Sequence, residues 1–173
     1  MKHIFISYKR ADETTPVAEM FYKRVVVDLP ASKGFAAPFF DKKSIDAGDH
    51  WSQRIQDALD QTTHFIALLS IDYWLSPQCQ RELQEAVKRH NKTGSPRLLF
   101  VLTELMDPSS LEIAGDEHSA TVKKDFPGVQ NLGQINFLGP YDQGGRLIRL
   151  NCTDRAKLSD QLFDMAQCIK DVK

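Results

Sequence analysis

The chain has 173 residues, of which 42% are hydrophobic and 26% charged, and a formal net charge of −1. That is the balance of a soluble globular protein of about one domain, and its near-neutrality gives no reason to expect nucleic acid or an anionic membrane as the main partner. No apolar run approaches the roughly 20 residues a membrane helix needs, and no basic-apolar secretory signal opens the chain, so the expected location is cytoplasmic.

The first element is "HIFISY", an apolar run with β-branched and aromatic residues that reads as a strand buried on both faces. Polar "KRADETT" follows, then Val17, Phe21, Val25 and Leu29 recur at helical spacing until Pro30 stops them. "FAAPFF" reads as a second strand, ending at Asp41, and leads into the polar loop "DKKSIDAGDH". A second helix carries Trp51, Ile55, Ala58 and Leu59 on one face, with Asp49 as its N-cap. "HFIALLS" is the third and most hydrophobic strand. Its successor "SPQCQRELQEAV" starts a helix with Ser76 as N-cap and Pro77 at the first helical position, where a missing N–H costs nothing.

"RLLFVL" is the fourth strand. The stretch from Thr103 to Gly133 is too long for a plain loop and is expected to hold a short helix near Ser119 to Phe126. "INFLG" and "RLIRL" compete for the fifth strand, and a last helix runs from a Thr153 cap through Leu158, Leu162, Met165, Ala166 and Ile169. Alternation of strand and helix about five times predicts a parallel sheet with helices on both faces and right-handed crossovers. Ligands of such sheets sit at the carboxyl ends of the strands. That edge gathers Tyr8 to Asp12, Asp41 to Gly48 and Ser70 to Glu82. The chain reads as a single domain over residues 1–173, and an ending inside or just after a helix suits the N-terminal part of a longer multidomain chain.

The three cysteines lack C-x-x-C spacing and fit reduced buried thiols, and the five histidines are scattered without ligand spacing, so no metal site is expected. Absence of G-x-G-x-x-G after any strand and of G-x-x-x-x-G-K-[ST] disfavours dehydrogenases and phosphate-loop enzymes. A phospho-acceptor receiver needs an aspartate directly after the third strand, where this chain has "LLSIDYW".

Three segments, "FISY" with Asp12 after it, "DKKSIDAGDHW" leading to "IQDALD", and "FIALLSIDYWLSPQCQREL", resemble the Toll/interleukin-1 receptor (TIR) family, most of all its bacterial NAD+-cleaving members of defence and signalling systems. The resemblance covers Met1 to about Leu102 well and the remainder loosely. It implies a flavodoxin-like three-layer αβα fold around a central, mostly parallel five-stranded sheet. It also implies that Asp41 to Gly48 is the family's BB loop, with Lys42, Lys43, Ile45, Asp46 and Gly48 in assembly contacts and gating. Members of the family are either adaptors that only assemble or enzymes that cleave NAD+ at the nicotinamide glycosidic bond. For an enzyme the matching essential glutamate is Glu82, NAD+ is the substrate, and no separate cofactor or metal is required. Self-association and a fused or partner sensor domain are the implied partners, without nucleic acid or membrane. Nucleoside deoxyribosyltransferases, which use a glutamate on ribose in a similar fold, are a distant enzymatic rival.

Helical geometry gives an independent view of Glu82. At about 100° per residue, Cys79, Leu83, Ala86 and Val87 form an apolar arc, from whose centre Glu82 lies roughly 80° and Glu85 roughly 140°. Glu82 is thus a border residue near the strand ends, and Glu85 a solvated one. An ordinary capping or solvated glutamate is the bland reading of Glu82, and the resemblance favours the catalytic one. Around it, Ser7, Tyr8, Arg10, Asp41, Ser44 and Trp74 are candidate substrate-binding residues. Arg10 suits a phosphate or a surface pair with Asp12. Tyr8 and Trp74 suit stacking on a nucleotide ring or plain packing. Cys79, on the apolar arc and with no histidine assigned to it, reads as packing and not as a nucleophile.

Overall fold

The computed structural model describes residues 1–29, 33–40, 49–104, 111–113, 119–122, 134–144 and 148–171; for 49–52, 111–113, 119–122, 134–136 and 171 the description is of the backbone. Among these, strands β1 (Ile4–Tyr8), β2 (Phe39–Phe40), β3 (His64–Leu69), β4 (Arg97–Leu102), β5 (Leu111–Ile113), β6 (Ser119–Val122) and β7 (Gln134–Gly139) form one sheet in the order β2-β1-β3-β4-β7-β6-β5. The five strands β2, β1, β3, β4 and β7 are mutually parallel, and β6 and β5 extend the edge antiparallel.

Alternation along the strands assigns the two faces. Ile4, Ile6 and Tyr8 of β1, with Ile66, Leu68, Leu99 and Val101, pack against helices α1 (Thr14–Asp28) and α5 (Arg155–Asp171). Phe5, Phe65, Ala67, Leu69, Phe100 and Leu102 face α2 (Asp49–Gln61), α3 (Ile71–Leu75) and α4 (Pro77–Thr93). The result is the three-layer αβα sandwich expected of alternating strands and helices. Phe21 and Phe65, both 0% exposed, anchor the two faces, and truncating a phenylalanine so buried costs about 3–5 kcal/mol.

Several elements differ from the sequence reading. "FAAPFF" is not continuous: Phe35 makes an isolated bridge to Lys2, and ladder pairing resumes at Phe39 and Phe40. Pro38, lacking an N–H, stands between them. Of the helix expected near Ser119 to Phe126, residues 119–122 are instead β6, whose Thr121 and β-branched neighbour Val122 lie in an antiparallel ladder with β7 and β5, and residues 123–126 lie outside the described residues. "INFLG" lies in β7, the fifth parallel strand, whereas Leu150 of "RLIRL" makes an isolated bridge to Thr103. The short helix α3 was not legible as a separate element. Ser70 caps it, accepting from the Tyr73 N–H at 3.1 Å. At α5 the cap is Asp154 and not Thr153: its Oδ1 accepts from the Ala156 and Lys157 amides, while Asn151 Oδ1 holds the Thr153 and Asp154 amides. Helix α2 begins at Asp49 itself.

Helix α4 starts and ends as its sequence dictates. Ser76 Oγ accepts from the Cys79 amide at 3.4 Å, Pro77 takes the first helical position, and Gly94 closes the helix in the left-handed region at φ 75°, donating to the His90 carbonyl at 2.7 Å. A Cβ at Gly94 would meet nothing within 4 Å, so its cost is one of backbone conformation alone. Gly94→Ala should therefore lower the free energy of unfolding by about 1 kcal/mol, read from the urea midpoint at unchanged m-value.

Candidate active site

The carboxyl ends of β1 and β3 meet the first turns of α3 and α4. Ser7 and Ala67 are partners across the β1–β3 ladder and both face the α4 layer. Their small side chains leave room above the sheet for groups descending from the helices. Tyr73 comes from α3 and Glu82 from α4, and both are buried, at 0% and 8% exposure.

These groups form a connected set. Ser7 Oγ donates to Glu82 Oε2 at 2.6 Å and lies 3.0 Å from the Tyr73 hydroxyl, joining residues 75 positions apart in sequence. Gln78 Nε2, one turn earlier on α4, donates to Glu82 Oε1 at 2.9 Å. A carboxylate withdrawn from water this far is sustained only by such donors, since an unsatisfied buried charge costs several kcal/mol. The border position read from the helical arc is thus a buried one, because the end of β1 covers it. Glu85, by contrast, is partly exposed and pairs with Lys88 at 3.7 Å.

Burial pushes the Tyr73 phenol well above its ordinary value, the neighbouring Cys79 and Glu82 charges add to this, and the Ser7 hydrogen bond opposes it. Tyr73 therefore carries its proton throughout the physiological range. Burial also pushes the Cys79 thiol from 9.0 up to about 12, with the Ser76 hydrogen bond and Lys9 pulling against burial and Glu82 adding to it. A thiol so raised is no nucleophile, in agreement with a packing role.

Comparison with known proteins identifies the framework. A model of the TIR domain family matches residues 4–133, more than half of the chain. This chain belongs to the TIR domain family. A search of curated proteins returns no match. Among solved structures, the TIR domains of the activated Roq1 resistosome, which directly recognizes the pathogen effector XopQ, superimpose with a TM-score of 0.51 at 17% identity, covering 96% of this chain and 84% of that one. At that identity the likeness establishes the shared fold.

In this TIR domain the remaining predicted residues are dispersed. Tyr8, next to Ser7, points to the opposite face of the sheet and stacks on Phe40 at 5.1 Å, as alternation along β1 requires. Trp74 is 0% exposed and meets Tyr73 edge-on at 5.6 Å, so it is core as it stands. Arg10 is exposed and lines an open hollow of about 450 Å³ with Asp12, Thr15 and Glu19 at the start of α1. Asp41, Lys42, Lys43, Ser44, Ile45, Asp46 and Gly48 lie outside the described residues. The three cysteines form no disulfide; Cys79 is buried, Cys152 half-buried and Cys168 exposed, which corrects the expectation that all are buried.

The sequence reading missed Tyr73 and Gln78. Gln78 had a visible signal, since it stands four residues before Glu82 and so on the same helix face. Tyr73 had none before the short α3 was known.

The Cys79 shift also has a consequence for stability. Between 9.0 and about 12 the unfolded chain gives up this proton and the folded chain retains it, so the contribution is complete below pH 9 and is lost as pH rises toward 12. Urea unfolding at about pH 8 and about pH 10.5 should show a loss of stability in the wild type that is smaller in Cys79→Ala.

Proposed function

We propose that this TIR domain cleaves NAD+ at the nicotinamide glycosidic bond, with Glu82 as the catalytic carboxylate. The observation that carries the reading is the buried Glu82 carboxylate at the carboxyl edge of a parallel sheet, where ligands of such folds bind, oriented by the neutral donors Ser7 and Gln78. Neutral donors orient a carboxylate without cancelling its charge.

The chemistry demands little else. Nicotinamide leaves through its cationic ring nitrogen, taking the bonding pair and becoming neutral. The ribose carbon becomes oxocarbenium-like, and a carboxylate held close to the ribose stabilises that charge and accepts from its hydroxyls. Addition of water with loss of a proton gives ADP-ribose, and capture by a nucleophile within the nucleotide gives a cyclic or variant ADP-ribose. Lys9 and Arg10, the two residues that follow β1 in sequence, are proposed as the cations for the diphosphate, and Asp41 and Ser44 belong to the segment proposed to close over the site. Tyr8, on the opposite face of the sheet, and Trp74, fully buried in the core, are left out of the proposed site.

Activation by self-assembly, and a role in bacterial immune or stress signalling including antiviral defence, complete the proposal. They are supported by the family and by the likeness to TIR domains of a resistosome. A cytoplasmic setting is part of the proposal; separately, no helix among the described residues is long and apolar enough to cross a membrane. A second reading, a non-catalytic module acting by TIR–TIR contacts, is favoured by Val26, Val27 and Phe163, large apolar residues left 41%, 70% and 45% exposed on α1 and α5.

Nicotinamide release from NAD+, followed at high protein density or with the domain clustered by fusion, separates the two. The wild type should release nicotinamide, and Glu82→Gln should lower the rate at least about 100-fold. Release by neither protein would remove the enzyme reading and leave the assembly module, while equal release by both would remove Glu82.

A further inference from the structure

The two oxygens of the Glu82 carboxylate are not equivalent. Oε2 ends a chain of hydroxyls anchored in the core, since Ser7 Oγ lies 2.6 Å from it and 3.0 Å from the Tyr73 hydroxyl. A serine has one hydroxyl proton. With that proton given to the carboxylate, the Tyr73 hydroxyl must donate to Ser7, so the chain has one direction, from Tyr73 through Ser7 to Oε2.

Every member of this chain is fixed from behind. Tyr73 is fully buried, its amide donates to Ser70 Oγ at 3.1 Å, and its ring meets Trp74 edge-on. Ser7 is 1% exposed on β1, paired in the ladder with Ala67 of β3. Oε1 is held differently, by the amide of the half-buried Gln78, a flexible side chain on the same helix. A substrate hydroxyl can replace that amide without disturbing the core, whereas replacing Ser7 would break the buried chain.

We propose that Ser7, ordered by Tyr73, is the positioning residue of this site: it locks Oε2 and reserves Oε1 as the oxygen that meets the ribose. This rests on the NAD+-cleaving reading above. Ser7 then acts through Glu82 and not as a direct substrate contact, and Tyr73 acts through Ser7. A charge-assisted hydrogen bond that fixes a reacting group contributes mainly where charge develops, so its loss appears in turnover and not in binding.

The test is steady-state nicotinamide release by the clustered full chain, comparing wild type, Ser7→Ala, Tyr73→Phe and the double variant, with thermal melts to establish that each is folded. Ser7→Ala should lower kcat about 10- to 100-fold with KM within about threefold. Tyr73→Phe, which removes one oxygen and keeps the ring, should lower kcat less and provides the test if Ser7→Ala does not fold. The double variant should be no slower than Ser7→Ala, because Tyr73 has no route to the carboxylate once Ser7 is gone. Independent structural defects would multiply instead, and that outcome overturns the proposal. So does wild-type kcat in Ser7→Ala, or a raised KM at unchanged kcat, which would make Ser7 a substrate contact. Failure of this proposal leaves an active wild type beside an inactive Glu82→Gln. Failure of the enzyme reading leaves an inert wild type, and the positioning role falls with it.

Discussion

The hydrogen bond from Ser7 to Glu82 is the contact on which the site depends. It ties the end of β1, a strand buried along its whole length, to the first turns of α4, a helix that begins at Pro77 after its Ser76 cap. Neither partner is at home without the other. A carboxylate buried to this extent needs donors, and a serine hydroxyl at the end of an apolar strand needs an acceptor. The α3–α4 corner supplies both, because Ser70 and Ser76 cap the two helices in succession and so turn Tyr73 and Glu82 toward the same point over β1 and β3.

The fold serves that contact through strand alternation. Ser7 and Tyr8 are neighbours in sequence, yet they belong to different layers. Ser7 meets the α4 side and Tyr8 stacks with Phe40, which in turn stacks on Tyr22 of α1 at 4.8 Å. A shift of one residue in the register of β1 would exchange them, placing a tyrosine against Glu82 and a serine in the aromatic stack. The pairing of Ile4 to Tyr8 with His64 to Leu68 along the whole of β1 resists such a shift. The Ser7–Glu82 contact at the edge is therefore underwritten by packing along the strand.

Much of this was legible in the sequence. The unbroken apolar runs of β1, β3 and β4 announced a sheet covered on both sides, and Val17, Phe21 and Val25 announced the helix that covers one of them. Ser76, Pro77 and the apolar arc fixed the start and phase of α4, and with them the approximate direction of Glu82. What the sequence concealed was of two kinds. Short elements such as α3 and β6 hold too few residues for any periodicity to register, and tertiary pairing decides their type. Depth was the second: helical phase placed Glu82 at a border, but only the position of Ser7 and Tyr73 determines whether a border residue meets water or a buried hydroxyl.

The central claim is that substrate is received at the edge formed by β1, α3 and α4, against Glu82, and not in the hollow over the start of α1. The most direct measurement is a backbone amide NMR titration of the isotopically labelled protein with an NAD+ analogue whose ribose oxygen is replaced by a methylene group, so that it binds without being cleaved. The account predicts that the amides of Ser7, Gln78 and Glu82 shift first and saturate together. Saturable shifts confined to Asp12, Thr15 and Glu19, with those of Ser7 and Glu82 unmoved, would contradict it.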